Sequence, residues 1–186
     1  IWTVSRNGFL TPVAIVKEIE LSGAKIKRVT LHNYGMVNQF NVKKGDTIKI
    51  TRSGEVIPKF LEVVSSSSLP FTIPSSCPVC ESQTKIDDIR LLCSNECCPG
   101  VIKEKILNFI QKIGIDDLSS KRLDEFISKG LIKSIPDLYE LTKDDLLKLD
   151  KFQEKLANKL ILAIEKSKDV ELATFLSSLG ITGGAI

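Results

Sequence analysis

The chain has 186 residues, of which 42% are hydrophobic and 26% charged, and its net charge is +3. This composition is ordinary for a globular protein, and the apolar stretches are too short and too often broken by Lys or Glu for a transmembrane span or a signal peptide. Residues 1–67 carry ten Lys or Arg against five Asp or Glu. Nucleic-acid phosphates are the natural counter-charge for such a surface, and a merely solvated basic surface is the alternative.

The first segment of the chain is predicted to be β-rich. Runs of strand-forming residues alternate with glycines at turn positions, and one short helix fits between the second and third long runs. About five strands and one helix in about 65 residues favour a small Greek-key barrel of the oligonucleotide-binding kind, although periodicity does not distinguish it from an SH3-like barrel. The predicted strands are residues 1–4, 10–16, 25–32, 46–52 and 56–64, and the helix lies within residues 33–41.

The rest of the chain changes character twice. Four serines followed by two prolines, within residues 65–74, predict a linker. From residue 101 onward apolar residues recur at helical spacing, so this part is predicted to be all α. Pro136 suits the first turn of a helix, and Thr142, followed by two acidic residues, suits a helix cap.

Five cysteines lie close together between the linker and the helical part. The two-residue gap between Cys77 and Cys80 lets both thiolates face one metal ion, and a second cysteine cluster follows twelve residues later. Two such clusters predict a structural zinc site of four cysteines, which would also explain how so short a segment becomes ordered. Disulfides or a redox pair fit less well, because there is no secretory signal and a redox pair needs no second cluster.

The fourth ligand of this site is open from spacing alone. Cys93 pairs with either Cys97 or Cys98, and one cysteine is spare. The single histidine, His32, lies in the barrel segment and is not a substitute. A closed site of four thiolates leaves no position for a water ligand, so the predicted zinc is structural rather than catalytic.

Several stretches resemble motifs of bacterial NAD-dependent DNA ligases, and the resemblance covers nearly the whole chain. Residues 2–8 resemble the opening of the ligase barrel, residues 29–33 its Thr-Leu-His-Asn stretch, and residues 52–58 its Arg-x-Gly-Asp-Val-Ile-Pro signature. The Cys-Pro-Val-Cys and Cys-Pro sequences resemble the family's zinc finger. Because that finger ends in Cys-Pro, the resemblance implies one ligand set: Cys77, Cys80, Cys93 and Cys98, with Cys97 as the spare.

The resemblance implies a multidomain chain. We expect a small β-barrel (OB-fold) at residues 1–67, a linker and four-cysteine zinc finger at residues 68–100, and an all-α helix-hairpin-helix domain, truncated at its C-terminus, at residues 101–186. The chain begins inside a predicted strand and ends on glycines, so both ends are expected to be cut. The lysine nucleophile, the nucleotide pocket and the Mg²⁺ ligands would then lie upstream, and the fragment would be inactive alone.

In this family the barrel grips the DNA minor groove beside a nick. The matching positions in the present chain are Arg6, Asn7, Arg52, Val56 and Ile57. Arginine can bind a phosphate with two hydrogen bonds and stays charged, whereas Val and Ile can press on sugars and base edges without reading sequence. Alternation along the strand predicts instead that at least one of Val56 and Ile57 belongs to the barrel core.

The helical part departs from the family at its hairpins. Helix-hairpin-helix motifs use glycines so that backbone N–H groups approach a phosphate at a helix N-terminus. Polar residues replace these glycines here, while Lys121 and Lys155 remain where a cation would meet a phosphate. Since residues 101–186 also carry fourteen basic and fourteen acidic side chains, they are predicted to bind DNA weakly. The replacements are Asp117 and Ser119 in the first hairpin and Lys151 and Gln153 in the second, and a third hairpin begins at residues 179–181.

The resemblance therefore implies the non-catalytic, DNA-binding portion of a monomeric, cytoplasmic ligase that seals nicks in duplex DNA during replication and repair. The parent would use NAD and Mg²⁺ in its upstream domains, and this chain would hold structural zinc. The alternative is a stand-alone nucleic-acid-binding adaptor with structural zinc, which composition and domain order support equally. A protein-interaction scaffold is a third hypothesis, against which the basic barrel argues.

Overall fold

The computed structural model describes residues 1–21, 23–53, 57–149 and 152–180. The chain forms two compact units, Ile1–Gly100 and Val101–Ile186. Among the described residues, no helix combines the length and the apolar character that crossing a bilayer requires.

The first unit contains a mixed five-stranded sheet in the order β1-β2-β3-β5-β4. Neighbouring strands are antiparallel except for β3 and β5, which run parallel, and a helix connects β3 to β4. This arrangement agrees with the predicted oligonucleotide-binding barrel. The elements are β1 (Trp2–Val4), β2 (Leu10–Leu21), β3 (Ala24–Thr30), α1 (Tyr34–Gln39), β4 (Thr47–Ser53) and β5 (Ile57–Ser65).

The barrel core lies between the sheet and α1. Val29 and Phe60 are almost fully buried, and Phe40 at the end of α1 packs edge-to-face on Phe60 with ring centroids 5.2 Å apart. The side chain of Asn33 caps α1 by accepting a hydrogen bond from Met36 N–H at 2.9 Å. The cap thus sets where α1 begins, and the Phe40–Phe60 contact packs its end against the strands.

Two strand boundaries differ from the prediction. β2 continues five residues past the predicted end, to Leu21, because β3 pairs with it along a register that shifts between Ile15 and Ile19. β3 ends at Thr30 rather than at His32, because His32 takes a left-handed backbone conformation with φ of 59°.

A second, two-stranded sheet follows the barrel within the same unit. Its strands are β6 (Thr84–Asp87) and β7 (Arg90–Cys93), joined as a tight antiparallel hairpin in which Asp87 pairs with Arg90. The turn residue Asp88 has a φ of 52°. These two strands are absent from the sequence-based prediction, because each has only four residues and neither shows a regular alternation of buried and exposed positions.

The described part of the second unit is α-helical, as predicted. A continuous apolar cluster runs through it, and Leu123, Phe126, Leu138, Leu146 and Leu160 are fully buried in that cluster. The helices are α2 (Pro99–Ile113), α3 (Ser120–Ser128), α4 (Asp137–Glu140), α5 (Lys143–Leu147), α6 (Glu154–Lys166) and α7 (Leu172–Ser178).

Local hydrogen bonds set the starts of two short helices. Thr142 and Asp145 form a reciprocal capping box, which confirms the predicted threonine cap of α5. Pro136 precedes α4 as its N-cap residue instead of lying in the first turn. The carboxylate of Asp137 holds this bend, since it accepts hydrogen bonds from Lys133 N–H at 2.7 Å and Ser134 N–H at 2.9 Å.

Candidate metal centre and nucleic-acid interface

Four cysteine side chains converge in the first unit. The Sγ atoms of Cys77, Cys80, Cys93 and Cys98 all lie within 4.8 Å of one another. The Cys77–Cys98 distance is 3.9 Å and the Cys80–Cys93 distance is 3.4 Å. In a tetrahedral zinc site with Zn–S bonds of about 2.3 Å, the sulfurs lie about 3.8 Å apart. The cluster thus has the donor set and spacing of a closed metal site, and the exposed Cys97 lies outside it.

A tight turn brings the first two cysteines together. Glu81 N–H donates to the Cys77 carbonyl at 2.9 Å, and Cys77 N–H donates to the Ser82 carbonyl at 2.8 Å. Glu81 adopts a left-handed φ of 60°, which lets the chain reverse direction immediately after Cys80. Both Sγ atoms therefore face the same point, as the Cys-x-x-Cys spacing predicts.

The other two cysteines come from the end of a strand and the start of a helix. Cys93 is the last residue of β7, and Cys98 directly precedes α2. Cys98 N–H donates to the Asn95 carbonyl at 3.1 Å, while the Asn95 side chain accepts from Cys97 N–H at 2.9 Å. Asn95 thus turns Cys98 inward and leaves Cys97 at the surface, a selection that spacing alone left open.

The thiols of the cluster have contrasting environments. Hydrogen bonds from the side chain and the backbone of Ser82 lower the pKa of Cys80 to about 6. Burial raises the pKa of Cys93. Soft thiolate donors favour ions such as zinc. Ser82 was not among the residues predicted from the sequence; its position two residues beyond the second cysteine of the knuckle was the available signal.

Two of the predicted DNA contacts lie on the turn between β1 and β2. Gly8 N–H donates to the Ser5 carbonyl at 3.0 Å, so Arg6 and Asn7 are the two central residues of a β-turn. The hydroxyl of Ser5 also accepts from Phe9 N–H at 3.1 Å. Asn7 is exposed and Arg6 is half-buried.

The remaining barrel candidates lie on the β4–β5 hairpin. Arg52 is half-buried, and its Nη1 donates to the Leu21 carbonyl at 3.1 Å, so its guanidinium also ties β4 to the end of β2. Ile57 is paired with Ser53 and is 62% exposed, so it is not a core residue. Val56 lies outside the described residues.

The lysine candidates of the helical unit lie on different helices. Lys121 is in the first turn of α3 and Lys155 in the first turn of α6, and both are exposed. Of the residues at the glycine positions, Gln153 is the N-cap of α6, Ser119 is the N-cap of α3, and Lys151 lies outside the described residues.

The loop before α3 contains an ion pair that the sequence did not reveal. Asp117 has a left-handed φ of 69°, the conformation that would favour glycine. Its Oδ2 lies 2.8 Å from Nζ of Lys159 on α6, and its carbonyl accepts a hydrogen bond from Arg122. Asp117 thus binds Lys159 of α6 through its side chain and Arg122 of α3 through its backbone carbonyl.

Comparison with known proteins matches both halves of the chain to one family. Residues 1–70 match the family model of the NAD-dependent DNA ligase OB-fold domain. The chain is 38% identical to a DNA ligase of Lactobacillus helveticus and 38% identical to one of Wolinella succinogenes, over 97% and 96% of its length. It is 40% identical to a DNA ligase of Myxococcus xanthus over 96% of its length. In each case it spans 28% of the relative. The chain therefore belongs to the family of bacterial NAD-dependent DNA ligases, of which it is a segment.

Proposed function

We propose that this segment is the non-catalytic, DNA-binding portion of an enzyme that seals single-strand nicks in duplex DNA during replication and repair. The observation that carries the proposal is the match of residues 1–70 to the ligase OB-fold domain, in the most basic part of the chain. In the proposed parent, a cytoplasmic monomer, other domains use NAD and Mg²⁺ to activate the 5′ phosphate. The segment alone binds nicked duplex and does not ligate it.

The barrel, at residues 1–67, is proposed to supply most of the affinity. Its turn residues Arg6 and Asn7 and the β4 residue Arg52 offer phosphate contacts, and Ile57 presents an apolar side chain at an exposed strand end. The exposed position of Ile57 supports a role outside the core. Val56 completes the proposed set.

The finger, at residues 68–100, is proposed to hold one structural zinc ion. Sulfur spacing supports the assignment of Cys77, Cys80, Cys93 and Cys98 as ligands, because four thiolates at these distances complete a tetrahedron. When bound, the metal would cross-link the Cys77–Cys80 turn to the segment from Cys93 to Cys98. It would take no part in a reaction on DNA.

The helical part, at residues 101–186, is proposed to be a helix-hairpin-helix domain with weak backbone contacts. The exposed Lys121 and Lys155 lie in the first turns of α3 and α6, where a phosphate would also meet free backbone N–H groups. The Asp117 carboxylate would repel a phosphate at the first hairpin, and it already pairs with Lys159, which supports weak rather than strong binding.

The test combines metal content with affinity for nicked and intact duplex at two salt concentrations. We expect about one zinc per chain, and an affinity that falls with salt by a slope of about −0.9 for each phosphate neutralised. Double substitution Arg6→Ala and Arg52→Ala should weaken binding and reduce that slope, while Lys129→Ala, an exposed lysine after α3, should change little.

Each part of the proposal has an outcome that would refute it. Salt-independent or absent binding to duplex would reject the DNA-binding role and favour a protein-interaction scaffold. Equal affinity for nicked and intact duplex, together with equal affinity for single strands, would favour a general nucleic-acid adaptor. A finger that keeps its hydrogen-exchange protection after the metal is removed would reject the structural role of the zinc.

A further inference from the structure

The β6–β7 hairpin contacts the barrel at the β1–β2 turn. Cys93 N–H donates to the Gly8 carbonyl at 2.9 Å, and Phe9 pairs with Leu92 in an antiparallel bridge. The guanidinium of Arg90 lies 4.6 Å from the centroid of the Phe9 ring, at cation–π distance. The turn is thus paired with β7 as if it were a third strand of the finger.

The same hairpin is anchored at its tip to helix α1. Gly35 N–H, in the first turn of α1, donates to the Ile89 carbonyl at 2.9 Å. A Cβ atom at Gly35 would lie 2.8 Å from the Cβ of Ile89, closer than real Cβ atoms approach. The glycine is therefore needed for the close approach of the two backbones.

The first of these contacts lies at the turn that carries Arg6 and Asn7, and the second anchors the tip of the same hairpin to α1. The turn is closed by hydrogen bonds within Ser5–Phe9, and the carbonyl that follows Asn7 is the one bonded to Cys93. This hydrogen bond, together with the Phe9–Leu92 bridge, ties the position of the turn to that of β7. Because Cys93 also belongs to the four-cysteine cluster, this residue links the cluster directly to the turn.

We propose that the β6–β7 hairpin is a brace that fixes the β1–β2 turn for DNA contact, with Gly35 and Ile89 as its positioning residues. The DNA part of this inference rests on the proposed function, whereas the brace itself does not. The finger then has a second task besides its own stability: it presets the orientation of Arg6 and Asn7, so that binding does not have to order them.

The first test is Gly35→Ala, which adds the Cβ that meets Ile89. We expect the metal content to stay unchanged, the amide of Gly8 to exchange faster with solvent, and the affinity for nicked duplex to fall about five- to tenfold. Gly100→Ala is the matched control, because the three atoms nearest to its added Cβ, at 3.1–3.3 Å, all belong to the side chain of Val79 and none to Ile89. It should leave both the Gly8 amide and the affinity unchanged.

Rescue separates positioning from general damage. Ile89→Gly removes the opposing Cβ, so the double variant with Gly35→Ala should regain much of the affinity. In a background that already carries Arg6→Ala and Asn7→Ala, Gly35→Ala should have no further effect, since the residues it positions are gone. A full, additive loss in that background would overturn the brace.

If the Gly35→Ala variant does not fold, two substitutions that leave the backbone contact at Gly35 intact test the same proposal. Arg90→Gln removes the cation from the Phe9 ring, and Lys85→Gln removes an exposed cation from β6 of the same hairpin. Arg90→Gln should speed exchange at Gly8 and weaken DNA binding more than Lys85→Gln does. Equal exchange in both variants would overturn the brace. Faster exchange without any effect of Arg6→Ala on affinity would keep the brace and reject the assigned DNA contacts.

Discussion

The two units of this chain are ordered by different means. The helical unit has a continuous cluster of fully buried apolar side chains, which includes Leu123, Phe126 and Leu160. In the finger of the first unit, Leu91 and two of the cysteines are buried, while three of the four residues of β6 are exposed. We infer that the finger needs a metal ion and the barrel surface to be ordered, whereas the helices bury enough apolar area themselves.

Of the changes predicted here, metal removal should have the largest effect, and it should affect the finger but not the helical unit. With a strong zinc chelator, amides of residues 77–98 should lose hydrogen-exchange protection, because a site of this kind contributes much of the order of a small domain. Protection around Phe126 should persist, since its packing does not involve the cluster. Cys97→Ser is the control, as Cys97 is exposed and outside the cluster. Unchanged protection of the finger after chelation would mean that both units are ordered by packing alone.

The sequence revealed the parts of the site that depend on short spacings. The strand runs with intervening glycines predicted the barrel, and the Cys77–Cys80 gap predicted a metal knuckle. Spacing did not decide between Cys97 and Cys98, because that depends on how Asn95 bonds the turn. The close approach of the α1 glycine to the hairpin tip joins residues that are distant in sequence, so no local pattern could predict it.

An intermediate effect concerns the polar contacts of Asp46 beside the β4–β5 strand pair. Asp46 accepts hydrogen bonds from Lys43 N–H and Ser67 N–H, each at 2.7 Å, and joins the β4 turn to the segment after β5. Although burial acts to raise the pKa of Asp46, these backbone hydrogen bonds lower it overall. A carboxylate with a lowered pKa stabilises the fold above its unfolded pKa, and this stability is lost as pH falls through the folded value.

We therefore expect Asp46→Asn to destabilise the barrel by about 1–2 kcal/mol at neutral pH. The difference from the unaltered chain should shrink as pH falls from about 5 to about 3. Fluorescence of Trp2, the only tryptophan, packed on the barrel cluster, reports unfolding in urea. Glu62→Gln is the control, because its ion pair with Lys49 is exposed and such pairs contribute little. A constant difference between pH 7 and pH 3 would contradict the role of the Asp46 charge.

The smallest predicted effect concerns the ion pair between Asp117 and Lys159 in the helical unit. It tests whether this ion pair is the reason that the unit binds DNA weakly. Asp117 holds Lys159 at 2.8 Å, so phosphate would have to displace a carboxylate. Asp117→Asn keeps a residue that tolerates a left-handed backbone and releases the lysine. It should raise the affinity for duplex two- to fivefold, roughly, and make the salt slope steeper by up to about 0.9, one additional phosphate.

Asp116→Asn provides the matched control for this variant, because the exposed neighbouring residue changes the net charge equally. If released Lys159 is the cause, Asp117→Asn must exceed Asp116→Asn, and adding Lys159→Gln must remove the gain. Equal effects of the two aspartate variants would mean that only overall charge matters. Lys159→Gln should also be measured in the unaltered chain. If it lowers the affinity there as much as it does in the Asp117→Asn background, this lysine already contacts DNA. The two units would then differ less in DNA binding than their charges suggest.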